Sequence, residues 1–219
     1  MVAGTSKIPV SHGHLEAILK EPESAPRGAA IVCHPHPLHG GTMHTKAVYR
    51  SAQALNEAGL VALRFNFRGV GASTGSYEEG IGEQDDLRAA MDWLVERHPE
   101  LPLVVGGFSF GSMVALNVGA GDDRAVALLG LGLPVDLDER YDFGFLADVD
   151  KPVLVVQGEN DEFGPARRVK EVLAPLGSHI TVVSVAGTDH YFEGRLDELR
   201  DAVRGYFETG PGSRVLAAV

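Results

Sequence analysis

The sequence predicts an α/β protein with a mostly parallel sheet and helices on both of its faces. From Ala29 to Phe207, apolar runs of strand length alternate with amphipathic segments of helical spacing. Several of these runs are apolar at every position, as in strands buried on both faces. In addition, a serine between two glycines lies where one apolar run gives way to a helical segment, which is typical of a nucleophile elbow.

Strands are predicted from the apolar runs. We expect the first strand to be antiparallel, and a polar turn over residues 20–28 joins it to the others. In chain order the predicted strands are residues 15–19, 29–33, 60–65, 103–106, 125–131, 153–157 and 180–185.

Helices between the strands are predicted from apolar residues three and four positions apart. The first stripe spans residues 48–58 and ends at Gly59, and the later ones span 87–95, 169–176 and 196–207. We expect these stripes to face the core and to carry no chemistry.

The domain organisation is predicted to be simple. A length of 219 residues with a hydrophobic fraction of 44% fits one domain over residues 1–219, with its core over about 15–207. Gly210 and Pro211 are expected to end the last helix and leave residues 210–219 as a loose tail. About twenty residues separate two late strands at a position where proteins of this layout often carry a helical lid, so we expect little or no lid.

Charge and hydropathy limit the partners. The formal net charge of −11 opposes binding to phosphate backbones and to anionic lipids. No apolar run reaches the ~20 residues that cross a bilayer, and residues 1–10 lack the pattern of a signal peptide. We therefore expect a cytoplasmic protein that binds a small molecule rather than nucleic acid or a membrane, and that could form a homodimer.

The single cysteine, Cys33, rules out an internal disulfide. It gives no evidence of an oxidising compartment. Because it lies in the apolar run at 29–33, we interpret it as a buried strand residue rather than a reactive thiol.

The candidate nucleophile is Ser109, within Gly107-Phe108-Ser109-Phe110-Gly111. The chain is expected to turn so sharply there that side chains at Gly107 and Gly111 would collide with the neighbouring strand and helix. This turn would raise the Ser109 hydroxyl out of the sheet edge. It would also place the Phe110 N–H at a helix start, where it can stabilise a developing negative charge.

A serine nucleophile needs a base, and the base needs a group that orients it. Three carboxylates follow the strand at 153–157; we choose Asp161 as the acid, with Glu159 and Glu162 as competitors. The alternative is that each of them merely caps the next helix. His190 follows the last predicted strand and is the candidate base, which completes the chain order expected for this layout.

A second donor for an oxyanion hole is expected from the loop after the strand at 29–33. Pro35 and Pro37 have no N–H, so the donor must be another residue of the loop. Beside Phe110, we choose the N–H of His36, with Leu38 as the second choice.

Two alternative sites are weighed on the same residues. Four histidines of this loop could bind zinc, but the prolines stiffen the loop and no nearby cysteine is spaced as a co-ligand, so no metal and no cofactor is predicted. The loop from Gly69 to Gly75 has its third glycine one residue late for a dinucleotide site; we interpret it as a tight turn braced by Arg68 and Ser73. The four histidines are His34, His36, His39 and His44.

The ordered set of motifs resembles the α/β-hydrolase superfamily, and more narrowly the small bacterial hydrolases related to dienelactone hydrolase that are usually described as predicted esterases. The resemblance covers residues 15–207. It implies a nucleophile at Ser109, a base at His190, an acid at Asp161 and oxyanion donors at Phe110 and near His36. Dienelactone hydrolases carry a cysteine at the elbow, so that specific activity is not implied here. The motifs are 34–37 with 40–43, 65–73 and 107–111, followed by Asp161 and His190.

The resulting hypothesis is a serine hydrolase that cleaves carboxylic esters of short to medium acyl chain through an acyl-serine intermediate. Thioesters, lactones and small peptides are alternative substrates for the same triad, and a non-catalytic binding module is the alternative of another class. Aromatic residues near the loops predict an open, apolar pocket. The lining assigned to it is Phe108, Phe143, Phe163 and Tyr191, from a wider group with Phe110, Tyr141, Phe145 and Phe192.

Overall fold

A computed structural model describes residues 5–217. Its centre is an eight-stranded sheet of order β1-β2-β4-β3-β5-β6-β7-β8, in which β1, β2 and β4 pair antiparallel and the other pairs are parallel. The predicted mostly parallel sheet and its antiparallel early strand are confirmed. The strands are β1 Thr5–Val10, β2 Gly13–Lys20, β3 Gly28–Cys33, β4 Leu60–Phe65, β5 Leu103–Phe108, β6 Ala125–Leu131, β7 Val153–Gly158 and β8 Ile180–Val185.

The edge strand β1 was not among the predicted strands. It buries only Ile8 and otherwise places polar or partly exposed residues along the edge. No apolar run marks such a strand, so the signal that found the other seven is absent from it.

Helices cover both faces of the sheet, as predicted. Because neighbouring residues of a strand point to opposite faces, Ile31 of β3 packs into one core layer and Val32 into the other. The layer around Ile31 holds α2, α3 and α4, and the layer around Val32 holds α1, α5 and α6. The helices are α1 Lys46–Glu57, α2 Ile81–Arg97, α3 Phe110–Gly121, α4 Ala166–Leu173, α5 Leu196–Glu208 and α6 Pro211–Leu216.

The expectation of a loose tail after residue 210 is wrong for the part of it that is described. Pro211 supplies the first turn of α6, where its missing N–H costs nothing. Leu216 is 4% exposed and packs in the core layer of α1 and α5, with a methyl group against Gly28. The burial of Leu216 therefore holds the end of the chain on the sheet; residues 218 and 219 lie outside the described residues.

No large helical lid stands between β6 and β7, as the short connection predicted. The segment forms two short 3-10 helices, Glu139–Tyr141 and Gly144–Asp148, of which the second is fixed by the buried Leu146. Because only these short helices lie there, the carboxyl edge of the parallel strands is open. Within residues 5–217, none of the helices combines the length and the apolar character that crossing a membrane requires.

Candidate active site

Ser109 lies in the sharp turn between β5 and α3. Its backbone has φ 56° and ψ −121°, a conformation that L-residues rarely adopt. A Cβ on Gly107 would collide with the backbone of Gly111, and one on Gly111 would collide with the carbonyl of His34. Glycine is therefore required on both sides of the serine, because the turn brings β3, β5 and α3 into direct backbone contact.

The structure brings Ser109, His190 and Asp161 together from three different loops. The Nε2 atom of His190 is 2.9 Å from the Ser109 Oγ, and its Nδ1 atom is 2.8 Å from the Asp161 Oδ2. His190 is 2% exposed and Asp161 is 1% exposed, so the contact is shielded from solvent. With Nδ1 protonated toward Asp161, Nε2 is left as an acceptor for the serine hydroxyl.

The three carboxylates after β7 have different partners. Asp161 accepts hydrogen bonds from the Phe163 N–H at 2.9 Å and from the Gln157 side chain at 2.8 Å. Glu159 instead accepts from the backbone of Gly187, and Glu162 accepts from the backbone N–H of His190 at 3.3 Å. Of the three, only Asp161 forms a hydrogen bond with the imidazole ring.

The candidate oxyanion donors are the N–H of Phe110 and an N–H of the loop after β3. Phe110 is the first residue of α3, so its N–H has no intrahelical acceptor and lies at the positive end of the helix dipole. The second-choice donor, Leu38, already donates its N–H to the His36 Nδ1 at 3.2 Å. This bond disfavours Leu38, whereas His36 lines the same cavity as Ser109 and stays the candidate donor of the loop.

The His36 side chain fixes the loop that carries this N–H. Its Nε2 atom is 3.1 Å from the Tyr77 hydroxyl, and its ring packs against Phe110. Burial, followed by the charges of His39 and Arg140, lowers the pKa of His36. The ring is consequently neutral at pH 7, with Nδ1 accepting from the Leu38 N–H and Nε2–H donating to Tyr77.

Unlike His36 and His39, His34 does not line the cavity over Ser109. His34 is fully buried between β3 and the next loop, where its Nε2 accepts from the Phe67 N–H and its Nδ1 donates to the Pro35 carbonyl. Burial lowers the pKa of His34 to about 4. Across residues 5–217, no group of three or more His, Cys, Asp or Glu side chains is arranged to hold a metal ion.

Cys33 is a buried strand residue, as interpreted from the sequence. Burial in β3 raises the pKa of its thiol well above the usual value. The thiol is therefore neutral at pH 7 and takes no part in the site.

A cavity of about 350 Å³ opens over Ser109. Two of the four pocket residues assigned from the sequence line it, namely Phe163 and Tyr191. The assignment is wrong for Phe108 and Phe143, which are buried: Phe108 packs under the His190 ring with centroids 4.9 Å apart, and Phe143 packs in the core. Several other residues of the wall were not found by sequence reasoning, because no motif marks them; they are Thr45, Gly41, Leu137, Asp138 and Arg140.

The glycine-rich loop after β4 is braced as the sequence predicted. Arg68 forms an ion pair with the fully buried Asp86 at 2.8 Å, and the Ser73 hydroxyl donates to the Asn66 carbonyl at 2.7 Å. Its glycines turn the chain back past Glu16, which accepts from the Ala72 N–H. The loop therefore supports the neighbouring loop of the site, because Asn66 also accepts the Met43 N–H.

Comparison with known proteins identifies the family. A family model described as an alpha/beta hydrolase domain matches residues 30–202. The structure of an alpha-beta serine hydrolase homologue from Coxiella burnetii has a TM-score of 0.86 and 38% identity, covering 93% of this chain and 97% of that chain. A Xanthomonas campestris structure, described as a member of the α/β serine hydrolases without lid, has a TM-score of 0.84 and 37% identity, covering 94% and 93%.

A relative among the curated proteins covers a similar extent. It is a Rickettsia prowazekii (strain Madrid E) protein described as uncharacterized, 36% identical over 203 residues that make up 90% of this chain and 85% of that protein. The family match covers most of the sheet, together with Ser109, Asp161 and His190. The chain belongs to the α/β hydrolase domain family.

Proposed function

We propose that the protein hydrolyses carboxylic esters of short to medium acyl chain, with Ser109 as the nucleophile. The observation that carries this proposal is the pair of hydrogen bonds made by His190, 2.9 Å to the Ser109 Oγ and 2.8 Å to the Asp161 Oδ2. A histidine that contacts a serine hydroxyl on one side and a buried carboxylate on the other has the geometry that activates the hydroxyl as a nucleophile.

In the first half of the reaction, the Ser109 Oγ attacks the ester carbonyl carbon while its proton passes to the His190 Nε2. The carbonyl oxygen gains the negative charge, which the N–H groups of Phe110 and His36 stabilise. Asp161 keeps the His190 Nδ1 protonated and stabilises the imidazolium that forms. The C–O bond then breaks, and His190 gives its proton to the departing alkoxide, which leaves as an alcohol.

The second half repeats the chemistry with water. His190 takes a proton from water, whose oxygen attacks the carbonyl carbon of the acyl-Ser109 ester. The same two N–H groups stabilise the second oxyanion. The bond to the Ser109 Oγ then breaks, His190 returns the proton to that oxygen, and the carboxylic acid is released.

The preference for short to medium acyl chains is supported by the cavity. Its volume of about 350 Å³ and its apolar wall, formed by Leu137, Tyr141, Phe163 and Tyr191, suit a small ester. Since only short 3-10 helices connect β6 to β7, no large lid adds further apolar surface for a long chain.

The direct test is labelling with a fluorophosphonate, which forms a covalent bond with activated serines, followed by mass spectrometry of the intact protein. We expect one label on the wild type and none on Ser109→Ala. The control variant Ser76→Ala removes an exposed serine in another loop and should still be labelled. Labelling of folded Ser109→Ala at the wild-type rate would contradict the proposal.

Substrate class is tested with a series of p-nitrophenyl esters from acetate to palmitate. We expect kcat/KM to peak at short to medium chains; a peak at palmitate would overturn the proposed range. Thioesters, lactones and amides with the same acyl group separate the remaining chemistries, because all of them can use one triad and oxyanion hole.

A further inference from the structure

A second cavity lies against the antiparallel part of the sheet, away from Ser109. It has a volume of about 270 Å³ and none of its lining residues is shared with the cavity over Ser109. We call it the β2–β4–α1 cavity after the elements that form it. Its lining residues are Ile18, Lys20, Tyr49, Ala52, Gln53, Ala62 and Arg64.

Strand register explains why these residues meet. Ile18 lies directly opposite Arg64 in the β2–β4 pair, and Lys20 lies directly opposite Ala62, so all four point to the same face. On α1, positions 49, 52 and 53 are three and four residues apart and therefore share the helix face above the sheet. The cavity therefore follows from the register of the β2–β4 pair and from the helical spacing of the residues on α1.

The unusual member of the lining is Arg64, which is 9% exposed. Its Nη1 donates to the Met43 carbonyl, and its guanidinium lies 5.1 Å from the centre of the Tyr49 ring. Among the described residues no carboxylate forms an ion pair with it. Arg68, further along the same chain segment, is also buried, at 7% exposed. It forms an ion pair with Asp86 at 2.8 Å, as a buried charge usually does.

The charge balance of the cavity differs from that of the chain. The sequence holds 30 acidic and 19 basic residues, yet the lining contains two cations and no acid. Glu16 is on the same face of β2, but its carboxylate is occupied by the Asn66 side chain at 2.8 Å and the Ala72 N–H at 2.9 Å. Burial lowers the pKa of Arg64, and only Tyr49 opposes that shift.

We propose that the β2–β4–α1 cavity binds a small carboxylate with a short apolar chain. A guanidinium presents its N–H donors in a planar fork that matches a carboxylate, and Lys20 adds a second positive charge. The apolar chain would lie on Ile18, Ala52 and Ala62, which make up much of the remaining lining. Binding would give Arg64 the counter-charge that a buried cation requires.

The test is isothermal titration calorimetry with sodium butyrate, and with butyramide as a neutral molecule of the same shape. The host is Ser109→Ala, so that no reaction at Ser109 contributes. We expect butyrate to bind and to raise the melting temperature, whereas butyramide does neither. Equal binding of both molecules would show that charge is not recognised and would overturn the proposal.

Variants locate the binding. Lys20→Gln changes an exposed side chain and should weaken butyrate binding about tenfold, the loss expected for one charge-assisted contact. Arg64→Gln should abolish binding. If Arg64→Gln fails to fold, Lys20→Glu gives the same test, because it places a negative charge at the rim and should also abolish binding.

Two matched controls remove a positive charge elsewhere. Arg88→Gln acts on α2, where Arg88 pairs with Asp85, and should leave binding unchanged. Arg140→Gln acts at the cavity over Ser109 and should also have no effect. Loss of butyrate binding in Arg140→Gln but not in Lys20→Gln would place the anion at Ser109 and refute the second site; tighter binding of inorganic phosphate than of butyrate would refute the carboxylate assignment.

Discussion

The side-chain amide of Gln157 donates to Asp161, with 2.8 Å between Nε2 and Oδ2, and both residues are buried. The same amide donates to the Gly164 carbonyl at 2.7 Å, and its oxygen accepts the Leu133 N–H at 2.7 Å. Gln157 therefore joins the loops after β6 and β7 to the carboxylate that orients His190. We assign it as a positioning residue of the proposed triad.

Gln157→Leu should lower both stability and activity. It keeps a similar volume but leaves the Leu133 N–H and the Gly164 carbonyl without these partners and removes one of the hydrogen bonds to the Asp161 Oδ2, which we expect to cost about 2–4 kcal/mol of unfolding free energy. Urea unfolding and ester hydrolysis measure the two effects, with the partly exposed Gln84→Leu on α2 as a control.

Gln157→Glu separates positioning from stability. It keeps an acceptor for the Leu133 N–H but places a second negative charge beside Asp161, which favours the protonated form of His190. The acidic limb of the kcat/KM profile should therefore move to higher pH. An unchanged profile in a folded variant would show that Gln157 acts only on the fold.

The three carboxylates after β7 should differ sharply in effect. Asp161→Asn removes the acceptor that keeps His190 in the correct tautomer, and we expect kcat to fall by roughly 10⁴-fold. Glu159→Gln and Glu162→Gln alter only backbone hydrogen bonds and should change kcat by less than about tenfold. Steady-state kinetics on one ester decides the ranking, and a larger loss in either glutamate variant would reassign the acid.

The free energy of unfolding should decrease as the pH is lowered from 6.5 to about 4, because of His34. Its pKa is lowered in the fold, so below 6.5 the unfolded chain binds a proton that the folded protein does not. The stability is thus present above 6.5 and is lost as the pH falls through this window, by about 3 kcal/mol if this group acts alone. Urea unfolding at several pH values measures the slope.

His34→Gln should flatten that slope, since its amide can accept the Phe67 N–H without titrating. His44→Gln, at an exposed position of the same loop, should retain the wild-type slope. A slope that persists unchanged in His34→Gln would assign the pH dependence to other groups.

Gly107→Ala should abolish ester hydrolysis and reduce stability by about 3 kcal/mol or more, because its Cβ would collide with the Gly111 backbone. Gly205→Ala on α5 is the control: its Cβ has open space around it. There the expected effect is a gain of about 0.5–1 kcal/mol from helix propensity. Thermal unfolding with an activity assay distinguishes the two, and wild-type activity in Gly107→Ala would contradict the steric account of the elbow.

The central strands and the elbow were accessible from the sequence because their causes are local. A parallel strand buried on both faces must be apolar at each position, so β3 and β5 are visible as runs. Likewise Gly107 and Gly111 are required by backbone contacts two residues from Ser109. The order of Ser109, Asp161 and His190 followed from strand ends that share one edge.

The roles of buried side chains were not accessible in this way. Phe108 and Phe163 are both aromatic residues near the elbow or the acid loop, yet one packs beneath His190 and the other lines the cavity. The same ambiguity applies to two buried arginines. Arg68 pairs with Asp86, whereas Arg64 meets no acid among residues 5–217.

The sequence by itself determined the layered α/β fold, the elbow at Ser109 and the loops that carry Asp161 and His190. Periodicity and glycine sterics act over a few residues and are written directly in the chain. Only the tertiary structure decided that Gln157 supports Asp161, that Leu38 is already bonded to His36, and which aromatic rings face the cavity. Each of these depends on the direction that a side chain takes once the loops are packed together, because packing selects among side chains that are chemically alike.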